Sequence, residues 1–223
     1  MKNLINFSLI CKIITLSFLS ISLPSMYVND TNDYIIVSGS FESENKPSGS
    51  TSQIIGGVSY VFGGNFTTEI QILSGSYSDD DDSYMDEDIG GYGLGMTYDI
   101  KDSSNPVNFS FGVAYAALEV NADYLDDAQI TAKSTGTGLG LKLYKNIIKR
   151  QKLELTPYVA LTSVNTLLKL EDSYGNSFED DDQSSIISFG LGMKFDNFFI
   201  RPNISINDGE SDFDITFGII LPQ

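Results

Sequence analysis

Between residues 34 and 221 the chain returns ten times to one pattern. Runs of about ten residues place an apolar side chain at every second position, with glycine, small or polar residues between them. Successive Cβ atoms of a strand point to opposite sides of a sheet, so this alternation predicts strands whose two faces meet different surroundings. Segment 89–101 is the clearest: Tyr92, Leu94, Met96, Tyr98 and Ile100 share one face, and Gly91, Gly93, Gly95, Thr97 and Asp99 share the other. Val107, Phe109, Phe111, Val113 and Tyr115 repeat the pattern, as do Ile187, Phe189, Leu191, Met193 and Phe195, and then Phe213, Ile215, Phe217, Ile219 and Leu221. The predicted strands are 34–43, 52–62, 66–76, 89–101, 107–120, 129–145, 151–168, 184–196, 198–207 and 212–221, after a short polar lead at 26–33. Parity slips near Ser163 and Val164, where a bulge is expected.

The connections alternate in kind. Gly63-Gly64-Asn65, 102–106, 146–150 and Asp196-Asn197 are short. The intervening 44–51, 77–88, 121–128, 169–183 and 208–211 are mostly longer and acidic. Tight turns at one end and longer loops at the other describe a closed antiparallel up-and-down transmembrane β-barrel of ten strands, with both termini at the tight-turn end. Eight strands would result if two of the less regular segments lay outside the barrel.

The chemistry of the two faces selects a membrane over water. A soluble barrel turns its apolar face inward and covers the outside with polar groups. Here the apolar faces are large and aromatic, and the opposite faces are Gly, Ala, Ser and Thr with scattered charges. Small side chains suit the inside of a narrow barrel, and closure satisfies every backbone polar group in lipid. The charges on the inner parity are Glu69, Asp99, Lys142, Glu154, Lys194, Arg201 and Asp214. Both signs are present, so they read as interior pairs filling the lumen. Tyr34, Tyr60, Phe62, Phe66, Tyr98, Phe195 and Phe198 lie near strand ends and fit interfacial girdles.

Residues 1–25 read as an export signal: Lys2 and Lys12 are their only charges, an apolar stretch runs from Ile13 to Leu23, and Ser20, Ser22 and Ser25 offer small cleavage positions. The barrel domain is then 26–223. Cys11, the only cysteine, falls inside the signal, which leaves no disulfide or thiol metal site beyond it.

The runs Gly91-Tyr92-Gly93-Leu94-Gly95-Met96-Thr97-Tyr98, Gly136-Thr137-Gly138-Leu139-Gly140-Leu141-Lys142-Leu143-Tyr144 and Phe189-Gly190-Leu191-Gly192-Met193-Lys194-Phe195 carry a resemblance. Over residues 30–223 the chain resembles the small bacterial outer-membrane β-barrels, the OmpA-like and Opa-like porin superfamily. That resemblance implies the bacterial outer membrane, loops outside and both mature termini in the periplasm. It also implies outer-membrane lipid, lipopolysaccharide and the barrel-assembly machinery as partners. Many such proteins end on an aromatic residue read during assembly, whereas this chain ends Leu221-Pro222-Gln223.

Composition narrows the chemistry. With 30 acidic and 13 basic residues the net charge is −17, and no basic patch exists to neutralise nucleic-acid phosphates. There is no histidine, the usual general base for a serine nucleophile. No catalytic residue, cofactor or dedicated metal site is assigned. The acidic runs lack the glycine and glutamate spacing of a calcium loop, which leaves Asp79, Asp80, Asp81, Asp82, Asp180, Asp181 and Asp182 as candidates for diffuse cation binding only. The expected function is a structural or surface-interaction role through acidic extracellular loops, with a narrow porin-like channel for small or cationic solutes as the alternative. A soluble β-sandwich or lipocalin-like binder is the third reading. Fractionation separates the third from the others. The folded protein is expected in the membrane fraction, with unheated and boiled samples running differently on a gel, and a protein that stays in the aqueous phase without detergent would refute this.

Overall fold

The alternation is realised as strand along nearly the whole chain. The computed structural model describes residues 24–28, 31–46, 49–78, 87–102, 105–121, 125, 129–150, 153–207 and 209–223. A 3-10 turn, Pro24–Tyr27, precedes β1 (Tyr34–Lys46), β2 (Gly49–Phe62), β3 (Phe66–Ser78), β4 (Glu87–Ile100), β5 (Asn108–Asn121) and β6 (Ile130–Tyr144). Then come β7 (Ile148–Arg150), β8 (Leu153–Asp172), β9 (Ser177–Phe195), β10 (Phe198–Asn207) and β11 (Glu210–Pro222). All ten predicted strands are present, which settles ten rather than eight. The extra element, β7, is a three-residue continuation of β6 along the foot of β8.

Neighbouring strands pair antiparallel, and the sheet closes into one ring. β6 pairs with β8 from Ile130↔Asp172 to Tyr144↔Tyr158. The first and last strands form the seam, from Tyr34↔Pro222 to Glu42↔Asp214. The main-chain N–H of Gln223 donates to Asp33 O at 3.1 Å just below it, so both ends of the described chain lie at the tight-turn end. The β2–β3 turn explains its glycines: Gly63 and Gly64 have φ of 52° and 73°, the left-handed pair at the centre of a β-turn that Asn65 N–H closes by donating to Phe62 O at 3.1 Å. Asp33 ties this turn down, accepting from the Gly63 N–H at 2.7 Å and from the Tyr60 hydroxyl at 3.0 Å.

The large apolar side chains face outward. Ile72 is 71% exposed, Leu139 65% and Ile70 62%, and Phe189 and Phe217 are about half exposed. Leu94, Met96 and Tyr98 project likewise, while Gly93, Gly95, Thr97 and Asp99 point in and are buried. Cross-strand neighbours Phe62, Phe66, Tyr98 and Phe111 form an exposed aromatic row near the tight turns, the arrangement of an interfacial girdle. Tyr34 and Tyr60 are half-buried: Tyr34 packs against the interior cluster, and Tyr60 lies on the outer face with its ring 4.3 Å from that of Phe62.

Three expectations change. The slip at Ser163 and Val164 is not a bulge: β8 pairs without interruption with both β6 and β9 across it. Its inward residues simply turn from small to aliphatic, with Val164, Leu168 and Leu170 buried. The segment 169–183 is not a long loop. β8 and β9 stay paired up to Glu171↔Ser177, and Asp172 closes a tight turn by accepting from the N–H groups of Tyr174 and Asn176, both at 2.9 Å, and from Asn176 Nδ2 at 2.8 Å. The connections at 44–51 and 208–211 are also shorter than expected, because β1, β2, β10 and β11 extend into them. Residues 79–86 and most of 122–128 lie outside the described residues.

An arginine at the middle of the apolar belt costs about 2–4 kcal/mol, and close to 0–1 near its edges. Leu94→Arg is therefore expected to destabilise the barrel in lipid vesicles by about 2–4 kcal/mol, and Thr137→Arg, beyond the belt, by about 1 kcal/mol or less. Reversible urea unfolding measures both, and equal effects would contradict the outward assignment.

Candidate functional site

Two places concentrate chemistry, the lumen and the acidic end. The lumen is built in zones. At the tight-turn end Met26, Tyr27, Val28, Ile36, Val61, Tyr144, Tyr158, Phe199 and Ile220 form one buried cluster. Its first three members lie in the predicted short polar lead, which is thus corrected: Met26 and Tyr27 are fully buried inside the barrel. Tyr27 stacks on Phe199 with ring centroids 4.4 Å apart. Two lysines hold the segment by its carbonyls, Lys194 Nζ to Tyr27 O at 2.8 Å and Lys101 Nζ to Val28 O at 2.6 Å. Glycine makes the room: a Cβ on Gly192 would lie 2.7 Å from the Tyr27 ring and 2.8 Å from Met26 Cε. Gly190 does the same for Tyr158, whose ring passes 2.3 Å from the place a Cβ would take.

Above this plug lies a polar zone. Glu69, Asp99, Lys142, Arg201 and Asp214 are all buried, and Glu154 and Lys194 are half-buried nearer the mouth. An isolated buried ion costs several kcal/mol even after relaxation, so both signs and a dense hydrogen-bond set are needed here. Tyr144 OH donates to Asp99 Oδ1 at 2.9 Å, and Gln71 Nε2 to Glu69 Oε1 at 3.0 Å. Arg201 Nη2 donates to Thr216 Oγ1 at 2.8 Å. Asn203 links three strands, donating to Asp214 Oδ2 at 2.7 Å and accepting from Tyr158 OH at 2.8 Å. Arg201 lies within electrostatic reach of Glu69, Asp214 and Lys142. The sequence-predicted interior charges are thus brought together as a packed network. A cavity of about 10 Å³ beside Lys142, lined also by Ser110 and Thr162, is close to the volume that admits one water molecule.

Toward the acidic end the lumen turns aliphatic. Ile55, Leu73, Ile89, Leu118, Val120, Leu125, Val164, Leu168, Leu170 and Ile186 form a second buried cluster. The sequence reading, which assigned small residues to the interior throughout, missed this zone. The signal was present in the run Leu167-Leu168, where consecutive apolar residues occupy both faces of one strand.

The acidic end carries Asp180, Asp181 and Asp182 in β9 and not in a loop. Alternation sends Asp181 to the opposite face from Asp180 and Asp182, so the three carboxylates do not converge. Among the described residues no group of three or more acidic, histidine or cysteine side chains is placed to hold a metal ion. Asp79, Asp80, Asp81 and Asp82 lie outside the described residues. On the outer face, above the apolar belt, a cross-strand row runs Glu119↔Lys133↔Lys169↔Glu179, with Lys169 Nζ 3.0 Å from Glu171 Oε2.

No protein-family model matches the sequence, and no curated protein matches it. Solved structures do. The translocator domain of the autotransporter NalP from Neisseria meningitidis aligns over 93% of this chain and 94% of its own, at 12% identity and a TM-score of 0.56. The β domain of the Bordetella autotransporter BrkA aligns over 86% of this chain and 99% of its own, at 8% identity and a TM-score of 0.52. The fold is that of an outer-membrane β-barrel. Ail, the attachment invasion locus protein of Yersinia pestis, aligns over 87% of this chain and 99% of its own, at 11% identity and a TM-score of 0.43.

The fit of Gly192 against Met26 and Tyr27 makes the plug testable. With Cys11 replaced by serine and Met26→Cys introduced, maleimide labelling of the folded protein is expected to be slow. Adding Gly192→Leu is expected to expel the segment and bring labelling to the rate of the unfolded chain. Fast labelling without the second substitution would show that the mouth is open.

Proposed function

We propose that the chain is a structural and surface-interaction barrel of the bacterial outer membrane and that it neither conducts solutes nor catalyses a reaction. One observation carries the reading. Asp99 and Arg201, in the polar zone of the lumen, are 0% and 2% exposed. An aqueous path along the axis would wet them, as the walls of wide porins are wetted. Plug, ion network and aliphatic zone instead fill the interior in series. A catalytic reading finds no support in the residues, since the chain has no histidine and the lumenal carboxylates are engaged by Tyr144, Gln71 and Asn203.

The orientation belongs to the same proposal. Tight turns and termini face the periplasm, and the long acidic hairpins face outside, as the turn asymmetry of such barrels favours. The apolar belt meets acyl chains. Lys133 and Lys169 stand opposite each other where polar positions replace that belt, which fits the phosphates of lipopolysaccharide. Leu221, outward and about 42% exposed, takes the place near the terminus where assembly machinery would read the last strand.

Planar-bilayer recording tests the reading. Refolded protein is expected to insert without stable conductance steps. Reproducible cation-selective steps would overturn it in favour of a narrow channel, whose acidic mouth would concentrate cations.

A further inference from the structure

The ladder between β6 and β8 continues past the end of β6. Beyond Tyr144 the Lys145 N–H donates to Pro157 O at 3.2 Å and the Ile147 N–H to Leu155 O at 3.1 Å. There the register slips by one residue. Tyr144 stands opposite Tyr158, yet Ile148 stands opposite Leu155, so Ile147 and Ile148 share one partner in the manner of a β-bulge. A bulge at a barrel rim re-aims the residues that follow it. Here it sets Lys149 opposite Glu154 and Arg150 opposite Leu153. Lys145 and Arg150 thus both hold register positions beside outward-parity residues of β8, Pro157 and Leu153. Lys145 is exposed, and Ile147, between them, is 65% exposed.

The charge of this foot runs against that of the chain. Lys145, Lys149, Arg150 and Lys152 are four of the 13 basic residues, and they fall within eight positions that hold no acid, in a chain of net charge −17. Glu154 has inner parity, is half-buried, and its carboxylate accepts from Asn146 Nδ2. Asp102 and Asp196 are exposed in the turns to either side, which leaves four cations against two acids. The surroundings on the outer face are apolar. Leu153 pairs with Phe195, and Phe195 and Phe198 are exposed at the lower edge of the belt. Basic residues beside exposed aromatics mark headgroup depth, where lysine and arginine lay their stems on apolar surface and carry the charge outward. The group that complements both features is a phosphate with net negative charge on an acyl anchor. A second copy of this chain would bring the same cations and is disfavoured.

We propose that the foot of β6 and β7, Lys145–Arg150, binds the headgroup phosphate of an anionic phospholipid, of the phosphatidylglycerol class, in the leaflet at the tight-turn end. The proposal rests on the reading above for the membrane and the orientation. It goes beyond that reading by assigning a lipid class to the second leaflet, since Lys133 and Lys169 lie at the opposite end of the barrel. The belt holds the acyl chains and the cations select the headgroup. A zwitterionic phospholipid carries its own cation beside the phosphate and gains less from the site.

The chain has no tryptophan, so one introduced in the aromatic girdle reports on the lipid beside it. Phe195→Trp places the reporter next to the foot, and Phe66→Trp places a control in the girdle on β3, across β4 and β5 from β6. Each full-length variant is refolded into vesicles of phosphatidylcholine mixed with phosphatidylglycerol, with bromine in the acyl chains of one lipid or the other. Quenching then gives the relative association of the two lipids at each reporter. The expected preference for phosphatidylglycerol at Phe195→Trp is about fivefold or more, the effect of a single basic residue beside an anionic headgroup. None is expected at Phe66→Trp. Adding K145Q/K149Q/R150Q, with folding checked by heat-dependent gel mobility, is expected to abolish the preference. Equal association of both lipids at Phe195→Trp, the same preference at Phe66→Trp, or a preference that survives the triple substitution would each overturn the proposal. So would the absence of quenching by either lipid, as when a second copy covers the foot. Both leaflets of these vesicles hold the same lipids, so the outcome does not depend on orientation. Conductance is recorded separately, so the sealed-barrel reading and the lipid site stand or fall independently.

Discussion

In hydrocarbon an unpaired peptide N–H or C=O costs several kcal/mol, because no water is present to replace the lost hydrogen bond. That cost governs the rest of this structure. It forces the sheet to close, the first strand β1 onto the last, β11. Ten strands closed in this way enclose a narrow bore, and a narrow bore in a stable protein must be packed. Inward glycines admit Tyr27 and Tyr158, inward charges of both signs share the polar zone with Tyr144, Gln71 and Asn203, and the outer face is left to greasy side chains. The distribution of residue types over the two faces follows from closure and from the medium outside, and does not require a demand for transport.

The same constraint explains why much of the fold is legible in the sequence. Wherever lipid lies on one side and a crowded bore on the other, the two faces cannot share residue types. Tyr92, Leu94, Met96 and Tyr98 alternate with glycine and threonine for that reason. Legibility fails where one of the two media changes. Above the belt, β8 and β9 have water outside, so Glu179 to Gln183 lose the apolar parity and read as a loop, although pairing with β8 continues. Within the upper bore the inward residues become Val164, Leu168 and Leu170, and two apolar faces in succession mimic a slipped register. The plug was illegible for another reason. Met26, Tyr27 and Val28 form no strand, and their partners Lys101, Gly192, Lys194 and Phe199 are distant in sequence, so only the folded chain brings them together.

The interior charges illustrate how far residue type alone can go. Seven ionisable residues on inner parities were identifiable from alternation, and five of them are buried together. Which of them pair depends on the stagger between strands. Tyr144 reaching Asp99 and Tyr158 reaching Asn203 are consequences of register, and no single strand encodes it.

The seam joins Tyr34 to Pro222, the first strand to the last. The strands between them find both neighbours close by in sequence, but β1, paired with β2 on one side, must wait for β11 on the other. Until β11 arrives, the growing sheet has two raw edges, and its two outermost strands lack half their partners. A chain cut short by a single strand would therefore lose more than that strand: the cylinder would remain an open ribbon with no tolerable state in lipid. Closure of this barrel is for that reason a property of the whole sheet, registered only when β11 is in place.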